Sequence, residues 1–232
     1  MTTHSHDLAF LHTAKVHETT FARLLQKHGP GIQVRHDVDE TLLSDAIKMG
    51  LTKAIVERTR QALVKAGSTG ASVVIFTCST LGSIAELLND DLSRPVITTY
   101  MRIDRPMADL AVASGDRIQI VAALEGTLEP TRKLLEASAI DLKVSPEIET
   151  LLIPNIWEYF QRGDEQTYHS LIARYLATPA NYPNGYADVI VLAQASMAPA
   201  AQLCKLIQVP ILSSTATGVM AAIEMHRKNL LR

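Results

Sequence analysis

Cys78 closes a short apolar run, Ser72-Val-Val-Ile-Phe76, and is flanked by Thr77, Ser79 and Thr80. A helical pattern from Leu81 to Leu88 follows. A strand passing through small hydroxyl residues into a helix predicts a thiol at a helix N-terminus. There the helix dipole and free N–H groups stabilise a thiolate and hold an anion. The chemistry this suits is proton transfer at a carbon beside a small carboxylate. It requires a sulfur that is ionisable and open to solvent. The plain reading is a buried, inert cysteine, with Thr77, Ser79 and Thr80 as N-cap residues. The hydroxyl residues serve either reading, because caps and anion sites share one geometry.

Other side chains fall at comparable positions. His12 and Thr13 end the first predicted strand, and His17 lies one turn into the next helix. A histidine near its ordinary pKa is a second candidate base, although a lone histidine is more often a surface or satisfied core residue. Asp39 and Glu40 read as helix-start carboxylates. Thr127 precedes a helix and reads as an N-cap. Gln194 and Ser196 follow a buried strand and read as donors to a substrate oxygen, or as loop packing. Glu125 stays undecided between repelling an acidic substrate and acting as a base. Cys204, Met197 and Met220 read as packing residues.

The elements that must position these residues alternate. Strands are predicted at Leu8–His12, Ile32–His36, Ser72–Phe76, Val96–Tyr100, Arg117–Leu124, Asp188–Ala193 and Val209–Leu212. Helices are predicted at Val16–His28, Leu51–Lys65, Leu81–Leu88, Pro106–Ala113, Pro130–Ala139, Glu165–Leu176, Met197–Ile207 and Thr217–Lys228. Such alternation is the pattern of an α/β protein with parallel sheets covered by helices. Pro95 and Pro210 stand at strand starts, where a missing N–H is tolerated. The runs Val73-Val-Ile-Phe-Thr-Cys-Ser79 and Val189-Ile-Val-Leu-Ala-Gln-Ala-Ser196 repeat one design. Each is followed by a helix and then a proline-led strand, which predicts two similar lobes. Asn181-Tyr-Pro-Asn-Gly-Tyr186 reads as a turn-rich connector.

Composition narrows the function classes. A net charge of −2 over 232 residues gives no electrostatic case for nucleic acid or an anionic membrane. No apolar run approaches the ~20 residues that span a bilayer. Two cysteines match neither a zinc site nor a disulfide framework, so reduced thiols and a cytoplasmic setting are expected. The polar start, Met1-Thr-Thr-His-Ser-His-Asp7, has no signal-peptide core.

Several stretches together resemble the aspartate/glutamate/hydantoin racemase superfamily. They are Thr77-Cys-Ser-Thr80, Arg117-Ile-Gln-Ile-Val-Ala-Ala-Leu-Glu-Gly-Thr127, Ala187-Asp-Val-Ile-Val-Leu-Ala-Gln-Ala-Ser-Met197 and Val209-Pro-Ile-Leu-Ser-Ser-Thr215. The resemblance runs over nearly the whole chain. It implies two flavodoxin-like or Rossmann-like α/β lobes related by pseudo-twofold symmetry, with an active-site cleft between them. Residues 1–98 with 214–232 would make the first lobe and 99–213 the second. It implies cofactor-independent catalysis by two cysteines, one per lobe, on opposite faces of the substrate. Cys78 matches the first. Ser79 and Thr80 would contact substrate, and Thr127 would bind its carboxylate, with Thr13 beside them. The second cysteine position falls on Gln194, which is neither acid nor base near neutral pH. Arylmalonate decarboxylases in the superfamily work with one thiol, in the other lobe. Arg102-Ile-Asp-Arg-Pro-Met107 resembles a subgroup known only as racemase-like.

Three functions follow as expectations. The first is a racemase or isomerase-like enzyme that uses Cys78 for proton transfer next to a carboxylate. The second is a single-cysteine lyase or cis–trans isomerase acting on a small dicarboxylate. The third is a non-catalytic carboxylate-binding homologue. The partner expected in each case is a small carboxylate, with no cofactor, no metal, no nucleic acid and no membrane. The resemblance also implies a homo-oligomer, since family members are often dimers or larger.

Overall fold

The computed structural model describes residues 6–68, 70–89, 98–181, 185 and 187–231. The chain forms two compact units, Met1–Asp104 with Thr215–Arg232, and Arg105–Ser214. Pro95 and most of the connector at 181–186 lie outside the described residues.

Unit 1 holds a parallel sheet of β1 (Leu8–His12), β2 (Val34–Val38), β3 (Val73–Phe76) and β4 (Thr99–Arg102), ordered β2-β1-β3-β4. Its helices are α1 (Val16–His28), α2 (Glu40–Met49), α3 (Lys53–Gly67) and the short α4 (Ser83–Leu87). Both central strands, β1 and β3, are buried along their whole length. Continuous apolar runs such as Leu8–Leu11 and Val73–Phe76 are what a sheet covered on both faces demands. The strand at 99–102 pairs with β3, so residues 99–104 belong to unit 1 rather than to a second lobe beginning at 99.

Unit 2 repeats the arrangement. It contains α5 (Arg105–Ser114), β5 (Arg117–Ala122), α6 (Leu128–Leu142), β6 (Glu147–Leu152), α7 (Trp157–Gln161), α8 (Glu165–Leu176), β7 (Val189–Leu192) and β8 (Ile211–Ser213). The parallel sheet order is β6-β5-β7-β8, the same as in unit 1. A last helix, α9 (Ser214–Asn229), returns the chain to unit 1. It docks through His226, whose Nδ1 lies 2.7 Å from Ser72 Oγ, and Asn229, which donates to the Ser72 carbonyl at 3.2 Å. Gly218 is required on its inner face, because a Cβ there would collide with the Ile103 carbonyl.

Several expectations are corrected. α4 spans five residues and begins at Ser83, so Cys78 is not in its first turn. The segment after β7 is a 3-10 run, Ala195–Leu203, not an α-helix over 197–207. Pro199 inside it has no N–H to give to an α-helical ladder. β2 runs two residues later than predicted, at Val34–Val38. Three elements, α2, β6 and α7, have no counterpart among the predicted ones. Met220 is half exposed instead of buried, whereas Met197 is fully buried. No helix among the described residues is long and apolar enough to cross a membrane.

Candidate functional site

The central strand of each sheet, β3 and β7, ends in the residues singled out above. Cys78 is the second residue after β3, and Gln194 is the second after β7. Each loop is tied to the neighbouring strand in the same way. Thr77 N–H donates to the Leu11 carbonyl at 3.1 Å, and Ala193 N–H donates to the Val121 carbonyl at 2.9 Å.

Cys78 is 5% exposed and packs with Leu81 and Ile84 in the core of unit 1. The expected solvent-open sulfur is therefore corrected. Burial pushes its thiol above the ordinary value, and the Asp104 carboxylate adds to that push. Three donors act the other way: the Thr13 hydroxyl and the backbone N–H groups of Thr80 and Leu81. The predicted helix-dipole effect gives way to these local donors, because the dipole of a five-residue helix is small and fades beyond its first turn. The resting sulfur is thus a neutral thiol whose ionised form has hydrogen-bond donors already aimed at it. Ser79 beside it is buried, and its Oγ has no partner among the described residues.

The loop is braced from β4. Arg102 and Asp104, both buried, form a two-pronged pair, Nε to Oδ1 at 2.7 Å and Nη2 to Oδ2 at 3.1 Å. Arg102 also lies 3.6 Å from Glu86. Its guanidinium lies against Gly82, where a Cβ would stand 2.9 Å from Nε. Glycine there lets the cation press on the backbone of the Cys78 loop. The sequence offered this pair only as an Arg-Ile-Asp spacing, with no sign of its burial.

Behind the loop lies a chain of histidines. His12 Nδ1 is 2.9 Å from Thr77 Oγ1, and His12 Nε2 is 2.8 Å from His36 Nδ1. Thr77 gives its one hydroxyl hydrogen to the Leu11 carbonyl at 3.2 Å. It must therefore accept from His12 Nδ1–H, and His12 Nε2 must accept from His36 Nδ1–H. His12, with one nitrogen donating and the other accepting, is neutral in this arrangement. Burial, with His36 and His17 nearby, takes His12 down to about 2, and burial takes His17 to about 4. Burial also lowers His36, against the pull of Glu18 and Asp37. His12 and His36 stack with Phe10, His12 also stacks with Phe21, and His17 meets the Phe21 ring edge-on. His12 and His17 are buried core groups and poor bases at neutral pH, and His36 is half-buried. His12 and Thr13 are neighbours in sequence, as are Thr77 and Cys78. Two adjacent side-chain links, His12 to Thr77 and Thr13 to Cys78, therefore join the ends of β1 and β3.

In unit 2, Gln194 Oε1 accepts from Ala123 N–H at 2.7 Å and Leu124 N–H at 3.1 Å. Ser196 Oγ sits 3.1 Å from the buried Tyr168 hydroxyl, and its carbonyl accepts from His169 Nε2 at 2.9 Å. Ser196 thus spends its polar atoms within the unit. Thr127 is buried beside the 3-10 turn Glu125–Thr127 and precedes α6, but its side chain makes no capping bond. Asp39 caps α2 by accepting from Thr41 N–H, and Glu40 accepts from Lys15 N–H, as helix-start carboxylates do. Cys204 is buried, with its Sγ 3.2 Å from the Ala200 carbonyl. No group of His, Cys, Asp and Glu among the described residues could hold a metal ion.

No protein-family model matches the chain, and no curated protein sequence does. Solved structures do match over nearly its whole length. A glutamate racemase of Bacillus anthracis superposes with a TM-score of 0.70 at 17% identity, covering 99% of this chain and 84% of that one. The aspartate racemase of Picrophilus torridus gives 0.67 at 11%, covering 95% and 94%. The fold is that of the amino-acid racemases. An arylmalonate decarboxylase carrying an engineered cysteine, in a sulfate-associated form, is also similar, with a TM-score of 0.56 at 16% identity, covering 95% and 93%. The racemase fold gives the chain the two-unit α/β architecture predicted from its sequence.

Proposed function

We propose that this chain is an enzyme that moves a proton at a carbon next to a carboxylate, without a cofactor, and that Cys78 carries the proton. The observation that supports this most is the setting of the sulfur. It lies at the carboxyl end of a central parallel strand, the usual location of ligand sites in open α/β sheets. The sulfur is buried and not open to solvent as this chemistry was expected to require, and a hydroxyl and two backbone N–H groups stand in for water around its charged form. A buried cysteine kept only for packing needs no such donors. Similarity to racemases and to a decarboxylase fits proton chemistry on carboxylates. A working free thiol also fits a reducing, cytoplasmic compartment.

Within that class we favour a racemase or isomerase-like reaction. A second reading, a lyase that protonates one face after loss of carbon dioxide, draws on Gln194. The topological partner of Cys78 is an amide that cannot exchange protons. Deuterium separates the two. Incubation with small mono- and dicarboxylates in heavy water should give α-hydrogen exchange in both enantiomers for a racemase. A lyase releases gas and labels its product once. If neither exchange nor release is seen with any of them, and Cys78→Ser binds those carboxylates as the native protein does, the chain is a binding homologue.

A further inference from the structure

The Gln194 amide is held from one side. Its Oε1 accepts from two backbone N–H groups, those of Ala123 and Leu124. Turning the amide over would set its NH2 against both of these donors, so its orientation follows from chemistry alone. The same constraint directs Nε2 away from the end of β5. That nitrogen is buried and has no partner among the described residues, on a side chain only 7% exposed. The backbone that carries the side chain is fixed as well. The Gln194 carbonyl accepts from Met197 N–H at 3.0 Å, and Ser196 is held by Tyr168 and His169. Native proteins rarely leave such a donor unmet unless something else meets it.

We propose that Gln194 Nε2 is a built donor site for one oxygen of a bound carboxylate, so that unit 2 recognises an acceptor where its unit 1 counterpart carries a thiol. The inference rests on the carboxylate reading above and adds to it a polarity. The group that meets unit 2 must be a carboxylate, carbonyl or enolate oxygen, and an ammonium or amide N–H is refused there. Gln194→Glu is the discriminating change. It has the same length and keeps an oxygen for Ala123 and Leu124, but it replaces the donor with a charged acceptor.

The measurement is the side-chain amide ¹⁵N signal of Gln194 in the full chain, during separate titrations with malonate, succinate and L-aspartate. At least one of them is expected to move it. Binding of that anion should weaken about tenfold or more in Gln194→Glu, the weight of one charged hydrogen bond. The variant's melting temperature is measured alongside, and binding is read well below it, because the second carboxylate oxygen is buried with no partner among the described residues. An amide signal unmoved by all three anions overturns the proposal, as does undiminished anion binding by the variant. The amide signal is read on the native protein, so it decides even if the variant fails to fold. Repeating the titration in Cys78→Ser keeps the two ideas apart. A shifted amide with turnover intact refutes the role of Cys78 and leaves that of Gln194 standing.

Discussion

The carboxyl ends of β3 and β7 are the same place in two copies of one topology, yet their polarity is reversed. In unit 1 the surroundings donate to a side-chain sulfur: the Thr13 hydroxyl and the N–H groups of Thr80 and Leu81. In unit 2 a side-chain oxygen accepts from the surroundings, through Ala123 and Leu124 N–H. The register sets Thr13 and Ala123 at matching positions, because Leu11 pairs with Phe76 as Val121 pairs with Leu192. One position beside the tip thus acts through a hydroxyl in one unit and through the main chain in the other. His12 and Thr77 correspond to Ala122 and Ala193, so the histidine link behind the Cys78 loop has no equivalent in unit 2. The backbone repeats, while the side chains place a thiol, able to hold a proton, at one tip and an amide at the other.

The comparison can be broken first at the sulfur. Cys78→Ala should cut proton exchange or turnover by about 10²- to 10⁴-fold, the usual weight of a general acid or base. Gln194→Ala, measured on the same substrate in heavy water, should lose less. Next comes the brace. Arg102→Ala leaves Asp104 buried without its partner and should cost about 3–5 kcal/mol in urea unfolding. In unit 2, Gln194→Leu strands the N–H groups of Ala123 and Leu124, at about 1–3 kcal/mol each. A stability loss in Gln194→Leu together with weakened anion binding in Gln194→Glu would assign the oxygen to stability and the nitrogen to binding.

Acid should separate the units. The two buried histidines whose pKa values burial lowers most, His12 and His17, both lie in unit 1. In the unfolded chain a histidine takes a proton near pH 6.5, whereas folded His17 waits until about 4 and His12 until about 2. Unfolding therefore takes up protons below about 6.5, and stability present at neutral pH is lost as pH falls. Each of the two rings costs about 1.4 kcal/mol per pH unit, over the window down to its folded value. Hydrogen exchange at pH 5 should show β1 and β3 losing protection before β5 and β7. Protection lost equally in both sheets would contradict this. The smallest expected effect is on the thiol. Thr13→Val removes a donor to the sulfur, so the midpoint of Cys78 alkylation by iodoacetamide should move to higher pH, read in a Cys204→Ser background.

What the sequence disclosed follows from burial. The central strands were legible because Leu8–Leu11, Val73–Phe76 and Val189–Leu192 are unbroken apolar runs, and the turn residues after them marked Cys78 and Gln194. β6 was not legible, because an edge strand facing water can carry Glu147, Glu149 and Thr150 with no apolar pattern. α2 was missed although Asp39 and Glu40 signalled a helix start. The 3-10 run after β7 was misread because helical spacing outweighed Pro199. The linkage of His12 to His36 and Thr77 joins residues 24 and 65 positions apart, which no local pattern encodes. The solvent-open thiol was expected because the proposed chemistry asks for it, whereas Cys78 shares a buried apolar cluster with Leu81 and Ile84.

The return of α9 to the first sheet also sets an order of events during synthesis. The stretch from Arg105 to Ser214 is continuous and can collapse once its own residues have left the ribosome. The other half must wait until His226 and Asn229 emerge to reach Ser72. A nascent chain stalled just short of its last helix would therefore have its later-made half finished and its earlier-made half still open to chaperones.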